Sequence, residues 1–112
     1  MEKKFFFVIG RKKYSLKVKE CKSFLSKGKG LMFSTNNLPL LFIFNQKNKL
    51  SIHSFFCKPF IAIWFDDKKI IDIKNITNWR LSIKPKEKFN ILLEIPIYNK
   101  NYKRILDDIR KI

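Results

Sequence analysis

His53 is the one histidine in the chain, so any imidazole acid–base step or nucleophilic triad has to use it. Cys57, four residues on, is the thiol that could join it in a small hydrolase. On an extended strand, positions i and i+4 share a face but stand about 13 Å apart. That is too far for proton transfer unless the chain bends over Phe56–Pro59. Two acidic pairs resemble the paired carboxylates of a hydrolase. Asp66-Asp67 lies between apolar runs and reads as a turn, where Asp is an ordinary residue. Asp107-Asp108 falls on the polar face of a helix, and solvation accounts for it. Gly28-Lys29-Gly30 invites comparison with a phosphate-binding loop, but it lacks both the Walker spacing and the following Lys-Ser/Thr. Two cysteines, Cys21 and Cys57, with one histidine and no CxxC cannot build a structural zinc site without carboxylate help. No metal, no cofactor and no catalytic set is expected. Phe55, Phe56, Trp64 and Trp79 could stack single-stranded bases if they stood exposed beside lysines, though burial is the commoner fate of such rings.

The elements that must hold these residues are mostly strands. Lys3–Ile9 reads as a buried strand, Gly10–Lys13 as a turn, and Tyr14–Lys19 alternates with Tyr14, Leu16 and Val18 on one face, so the pair forms a hairpin. Glu20–Lys27 has room for a single helical turn before Gly28-Lys29-Gly30 breaks the pattern. Leu31-Met32-Phe33 precedes a loop over Ser34–Asn37. Leu38–Phe44 suits a central strand, Asn45–Asn48 a turn, and Leu50–Phe55 an alternating strand. Pro59–Phe65 is a second apolar run, and Asp66–Lys69 turns it into Ile70–Ile73. Asn75–Lys88 reads as loop with Trp79 and Ile83 as internal anchors. Phe89–Ile95 is a strand that Pro96 closes. Tyr102, Ile105, Leu106 and Ile109 then recur at helical spacing, which predicts an amphipathic helix over about 101–111; its mixed charges favour capping the sheet over binding a partner or a membrane surface. About seven strands in one 112-residue domain point to a small antiparallel β barrel or sandwich with short helical pieces.

The net charge is +16, from 25 basic and 9 acidic residues, and between Lys3 and Lys58 the only acid is Glu20. Such an excess attracts phosphate, which makes non-specific nucleic-acid binding an alternative reading. Only Arg11, Arg80, Arg104 and Arg110 among the basic residues are arginine, so bidentate reading of phosphate or guanine has little support. The lysines accompany an excess of Ile, Asn and Phe, residues with AT-rich codons. No apolar run reaches the roughly 18 residues of a membrane span. The start, Met1–Lys4 followed by Phe5–Ile9, lacks the length and cleavage site of a signal peptide and reads as the first strand of a cytoplasmic protein. The two cysteines read as reduced, partly buried thiols.

Several segments, taken in order, resemble the family called domain of unknown function 192. These are Gly30-Leu31-Met32, Leu40-Leu41-Phe42-Ile43-Phe44, Ile52-His53-Ser54-Phe55-Phe56-Cys57-Lys58 and Ile61–Asp66, then Asn78-Trp79-Arg80 and Leu93-Glu94-Ile95-Pro96. The resemblance covers about Tyr14 to Pro96, and the His-x-Phe-Phe form is the archaeal type. Two departures stand out. Pro59-Phe60-Ile61-Ala62 supplies no Asp where the family has one, and Ile97-Tyr98 replaces its later glycine. The resemblance implies a compact, mainly antiparallel β domain with no established activity.

By this analogy the expectation is a non-enzymatic domain, monomeric or a small homo-oligomer, that binds an unidentified ligand or partner around His53, Phe55, Lys58, Trp79, Arg80 and Glu94. His53 and Glu94 would give polar contacts, Lys58 and Arg80 anion contacts, and Phe55 and Trp79 an apolar floor. The purely structural alternative has Trp79 anchoring a loop and Glu94 pairing with a nearby lysine.

Overall fold

The computed structural model describes residues 2–21, 37–54 and 57–112. The helical turn within Glu20–Lys27, the Gly28–Gly30 break, the Leu31–Phe33 segment, most of the Ser34–Asn37 loop, and Phe55 and Phe56 fall wholly or largely outside them. The described chain forms six strands and one helix: β1 (Glu2–Ile9), β2 (Lys12–Cys21), β3 (Leu40–Asn48), β4 (Phe60–Asp66), β5 (Lys69–Ile76), β6 (Phe89–Pro96) and α1 (Tyr102–Arg110). They make one sheet in the order β1-β2-β3-β6-β4-β5. The mainly β expectation holds, with the sheet curled into a half-barrel.

Each hairpin has a local cause. β1 and β2 pair from Glu2↔Lys19 to Ile9↔Lys12, leaving a two-residue turn of Gly10-Arg11. Gly10 has φ +59, the left-handed conformation that such a turn demands and that glycine adopts without strain. β4 and β5 close through Asp67-Lys68, with Asp67 at φ 54. Asn90 fastens that turn, accepting from the Asp67 backbone N–H and donating to its carboxylate, both at 2.8 Å. Lys47 pairs with Asp66 at 2.9 Å. The Asp66-Asp67 pair is thus turn architecture, as its sequence suggests. One pairing is parallel: Lys19–Cys21 of β2 runs beside Leu40–Phe42 of β3. A parallel pair needs a connection of a dozen residues or more, and residues 22–39 supply that length.

The curl is visible in aromatic contacts. β1 is four places from β4 in the sheet, yet Phe5 meets Phe65 edge-on at 5.3 Å. The inside of the curl holds Phe7, Tyr14, Leu16, Val18, Leu41, Ile61, Ile63, Phe65, Leu93 and Ile95. α1 plugs it with Tyr102 and Ile105, as the helical spacing predicts, while Leu106 and Ile109 pack at its margin. The outer face carries a second core, with Leu40, Phe42, Phe60, Trp64, Ile83, Phe89 and Leu92. β4 is therefore buried on both faces, which explains its unbroken apolar run.

Several expectations are corrected. Asn45–Asn48 is not a turn: β3 runs through it and Asn48 pairs with Phe89 after a register shift, because pairing with β6 overrides the local turn preference of Asn. Leu50–Phe55 contributes a single bridge, Ile52↔Ile83, in place of a strand. The strand count among the described residues is six. Trp79 is not an internal anchor, its ring being 56% exposed, whereas Ile83 is buried. Asp108 does not sit on a solvated face. It is 6% exposed, accepts from the Tyr14 hydroxyl and pairs with Lys12 at 3.0 Å. Helical spacing placed it on the polar side, but the β1–β2 hairpin folds over that side and brings partners to it.

Candidate functional site

The sequence-named residues lie on two irregular segments and on β6. Main-chain hydrogen bonds hold the segments side by side. Ile52 and Ile83 exchange bonds at 2.9 and 2.8 Å, and the Ser54 N–H donates to the Arg80 carbonyl at 3.0 Å. Ser54 is the clamp. Its hydroxyl donates to the Asn78 carbonyl and accepts from the Arg80 N–H, both at 2.7 Å, and the residue is 1% exposed. The Trp79 indole N–H donates to the Cys57 carbonyl at 3.3 Å, and the Cys57 N–H donates to the Ser54 carbonyl at 3.1 Å. His53, Lys58, Trp79 and Arg80 are thereby carried on one pair of tied segments. His53 is half-buried, while Lys58 and Arg80 are exposed. Phe55 lies outside the described residues. The sequence reading gave Ser54 no role. Its signal was weak, since a serine between His53 and Phe55 looks like any polar residue of an alternating stretch.

Glu94 sits beneath, on β6, opposite Leu40 of β3 and Ala62 of β4. Strand alternation puts it on the outer face, and Ala62, the only alanine in the chain, leaves room there for the carboxyl. The residue is 5% exposed, and its carboxyl has no hydrogen bond or ion pair among the described residues. The lysine partner of the structural alternative is absent there. Burial alone pushes the carboxyl up from 4.5 to about 8, so Glu94 is mainly protonated at neutral pH. On the neighbouring strand Trp64 occupies the diagonal position, opposite Leu92. Its indole N–H is buried with no hydrogen-bond partner among the described residues. A buried carboxyl and an indole N–H unsatisfied among the described residues thus lie on one face of adjacent strands. Trp64, at 0% exposure, cannot be a base-stacking platform.

Both thiols feel this carboxyl. Cys57 is pushed up from 9.0 to about 11, chiefly by burial and then by Glu94. Cys21 is also raised, chiefly by burial, with Lys19 opposing and Glu94 adding. Thiols held protonated in this way are poor nucleophiles, which argues against a His53–Cys57 hydrolase even though the Cys57 N–H reaches the Ser54 carbonyl. Among the described residues no group of three or more His, Cys, Asp or Glu side chains could hold a metal. No helix among them is long and apolar enough to cross a membrane.

No family model and no curated protein matches the chain. Two solved structures share its fold. One is a "putative transcription regulator" from Sinorhizobium meliloti 1021, at TM-score 0.75 and 17% identity over 93% of this chain and 84% of that one. The other is a protein of unknown function from Novosphingobium aromaticivorans DSM 12444, at TM-score 0.72 and 15% identity over 89% of this chain and 74% of that one. At such identities the likeness is one of fold alone.

Proposed function

We propose that this protein is a binding domain without catalytic chemistry of its own, and that its ligand or partner lies against the Ser54-clamped segments above Glu94. The observation that carries the reading is the buried Glu94 carboxyl beside the Trp64 indole N–H on the outer face, the latter buried with no hydrogen-bond partner among the described residues. A buried polar group without a partner costs about 1–3 kcal/mol, and such groups persist where a ligand completes them. A protonated Glu94 and the Trp64 N–H offer two donors, His53 a further polar contact, and Lys58 with Arg80 a cationic rim. Trp79 forms an exposed apolar wall where a floor was expected, and Phe55 completes the set by analogy alone. The ordered motifs from Gly30 to Pro96 support membership of domain of unknown function 192.

The test uses the two indole N–H groups, Trp64 and Trp79, as reporters in amide-correlation NMR spectra. Titration with a panel of small carboxylates and phosphates is expected to move both indole resonances together with the amides of Ser54 and Arg80. Arg80→Ala should weaken the response severalfold, as for other rim charges. Shifts spread over the lysines of the whole surface, with both indoles unmoved, would overturn the proposal.

A further inference from the structure

β1 ends the sheet, pairing only with β2 among the described residues. Every second residue of β1 therefore turns its N–H and C=O away from the sheet. Natural edge strands are usually blunted by proline, by a bulge or by charge. Glu2, Lys3 and Lys4 open this strand, but Phe5–Ile9 follows with no charge, no proline and an unbroken register. Phe6 is 70% exposed, and Val8 also faces solvent. A groove of about 660 Å³ runs along this edge, lined by residues from both faces of β1 and by the β4–β5 turn. Phe5, Phe7 and Phe65 form its apolar floor, and Lys4, Lys13 and Lys68 stand around it. Those three lysines make no ion pair among the described residues, while the groove's one acid, Asp67, is held by Asn90.

We propose that this edge docks an extended peptide segment of a partner protein, one alternating apolar and acidic residues, as an added strand beside β1. Three features of the edge have to be answered together. The free backbone groups are answered by another backbone, the apolar floor by every second side chain, and the lysines by the acidic residues between. An acyl chain would fill the floor and leave the backbone groups unanswered. A single-stranded nucleic acid would answer the lysines and the rings and leave the backbone groups unanswered. A second copy of this chain would bring its own net charge of +16 against the same sign. This site is independent of the Glu94 region.

The probe is a fluorescein-labelled octapeptide alternating valine and glutamate, followed by anisotropy. Its comparators are a scrambled peptide of equal composition and a copy N-methylated at every second residue. Oleate and oligothymidylate are tested in parallel as competitors. Saturable binding is expected, about tenfold weaker for the scrambled and N-methylated peptides and about tenfold weaker for the Lys4→Glu/Lys68→Glu chain. Both lysines are exposed, and circular dichroism verifies that this variant keeps its sheet. N-methylated peptide binding as tightly as the parent would overturn the added-strand geometry. So would oligothymidylate or oleate binding where the peptide does not. A dimer of the free chain in sedimentation that excludes the peptide would assign the edge to self-pairing and overturn the proposal as well.

Discussion

Among the described residues of this small basic protein two carboxylates are buried, and they are buried differently. Asp108 of α1 is met by the Tyr14 hydroxyl and the Lys12 ammonium, and Arg104 lies over the Tyr14 ring at 5.1 Å. Glu94 of β6 has none of this among the described residues, and burial raises it unopposed to about 8. Both are almost equally removed from solvent, at 6% and 5% exposure. Burial therefore does not by itself say what an acid is for. A partnered carboxylate fastens one element to another, here the helix to the hairpin. An unpartnered one detracts from stability and makes sense as a group kept for something else.

The sharpest way to break this comparison is to titrate it. The folded chain keeps on Glu94 a proton that the unfolded chain releases near pH 4.5, so this group opposes folding increasingly as pH rises from 4.5 towards 8. Its contribution is neutral below that window and fully unfavourable above it. Glu94→Gln should remove the slope and stabilise the chain above pH 8 by on the order of 4 kcal/mol, read from urea melts across pH. An unaltered slope would mean that Glu94 has a partner. Asp108→Ala should act in the opposite sense, destabilising by about 3 kcal/mol at neutral pH because it strands the buried Tyr14 hydroxyl and breaks a mostly buried pair. Ser54→Ala removes two hydrogen bonds at a buried position, so a loss of about 2 kcal/mol is expected. Hydrogen exchange at the Arg80 amide should report it, and retained protection there would show that Ser54 is not the clamp. Lys12→Ala is the smallest change. The lysine is 60% exposed, and its removal should cost less than about 1 kcal/mol, leaving the Tyr14 bond to hold Asp108.

Much of the architecture is legible in the chain because its signals are local. The alternation of Tyr14, Leu16 and Val18, the glycine at the first hairpin turn, the apolar run of β4 and the spacing of Tyr102, Ile105, Leu106 and Ile109 each depend on neighbours in sequence. Where those cues mislead, a distant partner is the reason. β3 runs through Asn45–Asn48 because β6 pairs with it, and Trp79 stands outside with its indole N–H on the Cys57 carbonyl.

The candidate site divides in the same way. Sequence could name His53, Lys58, Trp79, Arg80 and Glu94 only by family analogy, and the segments that carry the first four are tied by bonds between residues some 25 apart, such as Ser54 to Arg80. By itself the sequence determined that this is a basic, strand-rich chain closed by an amphipathic helix, with a single histidine and no CxxC. The tertiary structure alone decided which acid meets partners among the described residues and which does not. Helix periodicity put Asp108 on the wet side, and only the fold of the β1–β2 hairpin over α1 made that side dry. Strand alternation gave Glu94 a face, and only the second core of the outer face removed it from water. Charge follows from composition, whereas desolvation and pairing follow from what the rest of the chain brings near, and that information is not local in sequence.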